Sequence, residues 1–133
     1  MVNDEFIGAG WAFPLRTDAT GGIALVTRER EIEESIRLIL GTAYGERPMR
    51  PEFGCGIHDE VFSPADAATF GRIATDVRAS LRRWEPRIAV REVDVAADPD
   101  DQATIFIDIR YSIRRTNDRR NLVFPFYVIP GGD

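Results

Sequence analysis

The sequence predicts an α+β fold: a small single domain with a mainly antiparallel sheet packed against two helices, preceded by an extended N-terminal arm over residues 1–22. Three observations lead there. Apolar residues recur at helical spacing in two windows, they alternate cleanly in one later segment, and no stretch approaches the roughly 20 apolar residues needed to cross a bilayer. At 133 residues, 44% hydrophobic and 29% charged, the chain is sized for one core, so residues 23–133 are expected to form one domain.

The arm carries Gly8, Gly10, Pro14, Gly21 and Gly22 among Phe6, Ile7, Trp11, Phe13 and Leu15, without helical or alternating period. It is too apolar for a free linker and is expected to lie on its own domain or on a partner. Gly8-Ala9-Gly10 lacks the third glycine and the strand-loop-helix setting of a dinucleotide site. After the apolar run Ile23 to Val26, Thr27 is placed to cap a helix reaching about Ala43, with Ile32, Ile36, Ile39, Leu40 and Ala43 on one face. The block from Gly45 to Gly56 is too rich in glycine and proline for regular structure, and Pro48 and Pro51 stiffen it into a shaped loop.

Ser63-Pro64-Ala65-Asp66 reads as a helix start, with Ser63 as cap, and the helix runs to about Trp84 with Phe70, Ile73, Ala74, Val77, Leu81 and Trp84 on one face. Ile88 to Val95 reads as a strand whose apolar set slips phase, which predicts a bulge near Arg91. Asp98-Pro99-Asp100-Asp101 turns the chain into an alternating strand from Ala103 to Ile113, with Thr104, Asp108, Arg110 and Ser112 outward. Arg114 to Arg120 reads as a solvated hairpin turn. Leu122 to Ile129 is apolar on both faces, and Pro125 cannot donate to a ladder, so this is an edge strand. Such an edge needs a cover, either the arm or a strand from another protein.

Charge and composition exclude several functions. The net charge is −5, and all 17 basic residues are arginine. An acidic chain without a broad basic face argues against nucleic-acid binding. A single cysteine, Cys55, and a single histidine, His58, leave no internal disulfide and no zinc set, and no cofactor motif stands out. The acidic start Met1-Val2-Asn3-Asp4-Glu5 is the opposite of a secretory n-region, so the chain is expected to stay in the cytoplasm where it is made.

One position is physically awkward. Pro86 ends the helix at Glu85 and leaves a carboxylate at the negative end of the helix dipole. A cation must answer it, either Arg87 or an arginine from elsewhere, and the reading of the whole chain favours another protein.

The loop Gly45-Glu46-Arg47-Pro48-Met49-Arg50-Pro51-Glu52-Phe53-Gly54-Cys55-Gly56-Ile57, the segment Glu85-Pro86-Arg87-Ile88 and the arm's Gly8-Ala9-Gly10-Trp11-Ala12-Phe13-Pro14 together resemble the baseplate wedge and sheath-initiator family of contractile phage tails and phage-like injection systems. The resemblance covers nearly the whole chain and rests on the blocks occurring in this order. It implies a structural baseplate part that docks on the core bundle of larger wedge proteins through Glu85, Pro86 and Arg87, and Arg47 and Arg50 of the loop are expected to be partner-binding as well. It also implies strand addition that templates the sheath, placed here at Phe124, Phe126 and Val128. Implied partners are sheath protein, larger wedge proteins, and hub or tube proteins, with several copies around a tail axis, assembled in the cytoplasm and then carried in the baseplate. Two other readings stand beside it: a lysozyme-like glycoside hydrolase using Glu46 with Glu52 or Glu85 with Asp59, and a small soluble interaction adaptor.

Overall fold

The computed structural model describes residues 17–129, with side chains from Arg28 onward. The arm residues from Phe6 to Leu15 lie outside the described residues. The order is helix α1 (Thr17–Gly41), a short 3-10 turn (Gly56–Glu60), helix α2 (Ala67–Trp84), and strands β1 (Ile88–Asp98), β2 (Asp101–Ile113) and β3 (Asp118–Tyr127). The chain divides into two units, Met1–Glu31 and Ile32–Asp133. In the first, residues 17–31 are the opening turns of α1. The second holds the core and both segments singled out in the sequence.

Helix α1 starts ten residues before Thr27, so residues 17–22 are helical rather than extended. The pair Gly21-Gly22 weighs against a helix, but each glycine costs only about 1 kcal/mol there, and extending an existing helix is far easier than starting one. Ile32, Ile36, Ile39 and Leu40 are buried, as their spacing predicts. The helix ends where Thr42 Oγ1 donates to the Leu38 carbonyl at 2.6 Å.

Helix α2 begins three residues later than expected. Asp66, with extended backbone angles, is the cap and accepts the Thr69 N–H at 2.9 Å. Ser63 instead donates to Glu60 Oε1 at 2.7 Å. Ile73, Val77 and Leu81 enter the core, with Phe70, Ala74 and Trp84 packed against it.

The sheet is a three-stranded antiparallel meander in the order β1-β2-β3. The anticipated bulge falls between Val90 and Glu92, so Arg91 is the extra residue. Ile105, Ile107, Ile109, Tyr111 and Ile113 all face the core. Thr104 and Ser112 lie on the opposite face yet are buried, and their hydroxyls are satisfied there: Asp101 Oδ2 accepts the Thr104 hydroxyl and Arg91 Nη1 donates to the Ser112 hydroxyl. Between β2 and β3 the pairing is unbroken from Thr104 opposite Tyr127 to Ile113 opposite Asp118. Asn117, at φ 59°, makes the tight turn between them and donates its N–H to the Ile113 carbonyl.

Candidate functional site

The two sequence blocks meet in space. The loop after α1 folds on itself: Gly45 N–H donates to the Pro51 carbonyl, Arg50 N–H to Arg47 and Phe53 N–H to Arg50. It then returns to the helix end, where Cys55 N–H donates to the Thr42 carbonyl at 2.9 Å. Gly54, at φ +128°, makes that approach possible, since a Cβ there would collide with the Thr42 carbonyl oxygen. The return sets Phe53 edge-on to Trp84 at the end of α2, with ring centroids 5.0 Å apart. Arg47 lies over the Phe53 ring at 5.2 Å, while Arg50 and Arg83 lie over Trp84 at 5.4 and 4.8 Å. Two aromatic rings thus hold three arginines on one exposed surface.

Glu85 follows directly. It is 2% exposed, and its carboxylate accepts both Nε and Nη2 of Arg87 at 2.7 Å, plus the Arg87 backbone N–H at 3.2 Å. The partner expected on another protein is therefore two residues away in the same chain. A planar guanidinium matches a carboxylate fork to fork, and Pro86 turns the backbone so that both can meet. Burial pushes the Glu85 pKa up, but hydrogen bonds from Arg87 and Ser35 outweigh it and hold the carboxyl below its usual value of 4.5. The Arg87 side chain stays 45% exposed. Arg114 braces the corner from the next turn, donating its backbone N–H to the Arg87 carbonyl and its Nε to the carbonyls of Pro86 and Ile88. It is not simply solvated, as the hairpin reading had it.

The second predicted attachment point changes in detail. Phe126 and Val128 are buried in the core and Phe124 packs against it, so their side chains are turned inward. The exposed side chains of this segment are Val123, Tyr127 and Ile129. Val128 N–H donates to the Ala103 carbonyl of β2, and the register has no shift, so even-numbered residues of β3 point their backbone groups toward β2. Arg119, Asn121, Val123 and Tyr127 then point N–H and C=O to the open side. Pro125 belongs to that outer set, so its missing N–H costs the β2 ladder nothing. Among the described residues the edge is closed only past its end, where Ile129 N–H donates to the Val61 carbonyl at 2.9 Å. The other sheet edge, β1, is broken by the Arg91 bulge and by a second irregularity at Ala97 and Asp98. Bulges of that kind discourage pairing, and β3 has none.

The carboxylates weighed for catalysis have structural neighbours. Glu46 accepts the Ala43 N–H at 3.0 Å, Glu85 is held by Arg87, and Asp59 and Glu52 are exposed. Asp76 has a raised pKa from burial and from the charges of Glu60 and Asp59. Glu60 is itself held by Arg72 at 3.1 Å. No group of His, Cys, Asp and Glu among the described residues could hold a metal ion. His58 Nε2 contacts the Leu40 carbonyl at 2.8 Å, and burial raises the Cys55 pKa, so both serve packing. No helix among the described residues is long and apolar enough to cross a membrane.

Sequence reading did not anticipate the Phe53–Trp84 contact, nor the convergence of Arg91, Arg110, Arg119 and Arg120 around a groove of about 390 Å³ at the hairpin end of the sheet. Strand parity was the available signal for the groove, but it needed the register between β2 and β3.

A buried ion pair bracing a Glu-Pro-Arg corner, a shaped loop docked beside it and one straight open strand make this a small α+β module with no assembled catalytic or metal centre among the described residues. Comparison with known proteins makes it specific. The chain belongs to the family described as baseplate wedge protein gp25, whose model matches residues 26–118. It is 34% identical over 84 residues to baseplate wedge protein gp25 of Enterobacteria phage T4, a match covering 63% of this chain and spanning 63% of that relative's length. Among solved structures it is similar to a Geobacter sulfurreducens chain provisionally labelled a tail lysozyme, at 45% identity and TM-score 0.73, covering 91% of this chain and all of that one. It is also similar to a chain of the postcontracted pyocin R2 baseplate, at 28% identity and TM-score 0.50, covering 74% of this chain and 83% of that one.

Proposed function

We propose that this chain is a structural baseplate component that docks on larger wedge subunits through the Trp84 to Arg87 corner and its neighbouring loop, and that it offers the open edge of β3 to a strand of the sheath. The observation that carries the docking half is the Glu85–Arg87 pair. A carboxylate buried at a helix C-terminus and locked to its own chain does not itself reach a partner. It fixes the direction in which an exposed guanidinium points, and a pre-set arginine loses less freedom on binding than a mobile one. Arg47, Arg50 and Arg83, held over aromatic rings, extend that surface.

The strand half is supported by the unbroken β3 and its outward backbone groups. A ladder of parallel-loaded backbone hydrogen bonds suits an anchor that must hold while a sheath contracts, since each bond alone contributes only about 1 kcal/mol. The role is structural rather than catalytic: the candidate carboxylates are engaged in folding contacts or open to solvent, and none combines an apolar pocket with a second free carboxylate.

Incorporation of variants into baseplates is the test of docking. Arg87→Ala, with folding checked by circular dichroism, is expected to be lost from purified baseplates. Retention at the level of the unaltered chain would refute the docking surface.

A further inference from the structure

The outer face of the sheet is divided along β3. Near the hairpin, Arg91, Arg110 and Arg119 line the groove with Glu92 as its lining acid, and Arg120 reaches it from the neighbouring position of β3, in a chain whose net charge is −5. Arg91 is anchored to Ser112, Arg110 reaches Glu92 at 3.5 Å and Asp108 at 3.9 Å, and Arg120 reaches Asp118 at 3.6 Å. Arg119 has no ion-pair partner among the described residues. Toward the other end the same face is apolar: Val123 is 45% exposed, Tyr127 67% and Phe106, opposite Pro125, 37%.

Arg119, Asn121, Val123 and Tyr127 are also the residues whose backbone groups face the open edge. A strand added there sets every second side chain on this same face, beside theirs. Resting on the strand-addition reading above, we propose that the incoming strand is graded along its length, with carboxylates beside Arg119 and apolar side chains beside Val123 and Tyr127. Charge then fixes its register and direction. A slip of one residue turns the whole set to the other face, and a reversed alignment puts carboxylates against Val123 and Tyr127. Arginine forks suit carboxylates, and the neighbouring Arg110 and Arg91 add positive potential behind the first contact.

The test uses the full chain and extended peptides of about ten residues that alternate valine and threonine, one with two glutamates near one end and one with glutamines in their place. Amide hydrogen exchange reports strand addition and fluorescence anisotropy reports affinity. The glutamate peptide is expected to protect the amides of Asn121, Val123 and Tyr127 and to bind on the order of tenfold tighter than the glutamine peptide at low salt. Arg119→Glu should abolish that preference, and a lysine-ended peptide should restore it with this variant. Protection by both peptides with equal affinity would overturn the charge grading and leave strand addition standing. If neither peptide protects those amides, strand addition to β3 is refuted and the grading falls with it.

Discussion

At the scale of single residues, Glu85 and Gly54 carry most of the local argument. A glutamate at a helix C-terminus opposes the dipole, and here two charge-assisted hydrogen bonds at 2.7 Å from Arg87 reverse the balance. Arg87→Ala strands a buried carboxylate that water reaches only partly, so a loss of about 1–3 kcal/mol in urea unfolding is expected. Glu85→Gln keeps the shape and loses the charge; it should destabilise less, and a larger loss than for Arg87→Ala would contradict this account of the pair. Gly54→Ala meets both a left-handed backbone and the Thr42 carbonyl oxygen, and about 2–3 kcal/mol is expected from the same measurement. The need for a cation near Glu85 was legible from Pro86 alone. Its identity was not, because sequence spacing does not report that the side chain is buried, and burial is what keeps it from another protein.

At the scale of elements, period served well where only one face is apolar. The face of α2 and the alternation of β2 were readable for that reason, as was the bulge at Arg91. Leu122 to Ile129 is apolar on both faces, so period alone leaves its phase undetermined; of the three residues expected at the partner contact, Phe126 and Val128 lie in the core and Phe124 packs against it. The start of α2 shows another ambiguity: Ser63 and Asp66 are both good caps, and Ser63 is drawn to Glu60. The observed phase of β3 changes which substitution probes it. Phe126→Pro removes an N–H aimed at β2 and a buried ring, and should cost more than about 3 kcal/mol, unfolding the domain. Val123→Pro removes only an outward donor and should cost about 1 kcal/mol while blocking strand uptake. Sheath assembly on baseplates carrying Val123→Pro is the measurement. Normal sheath length with the variant present would exclude this edge as the template.

At the scale of the whole molecule, ionisation links these local arrangements to stability. Glu85, Glu60, Asp66 and Asp101 all have lowered pKa values, Glu60 through Arg72 and Ser63, and the two aspartates through backbone N–H groups of Thr69 and Ala103. Each lowered pKa means that the folded state holds its proton less tightly than the unfolded chain. Its contribution is complete above the usual carboxylate range of 3.8–4.5 and is lost as the pH falls through the depressed folded values. Asp76 has the opposite sign: burial first, then the charges of Glu60 and Asp59, raise its pKa, so ionising it opposes folding as the pH rises. Four groups against one make the domain acid-labile. Urea midpoints should therefore fall between pH 5 and about pH 3. Asp76→Asn should be more stable than the unaltered chain at pH 7, with the gain shrinking toward pH 3, where the aspartate is protonated in both states. Equal gains at both pH values would mean that the substitution acts through local packing and not through its charge.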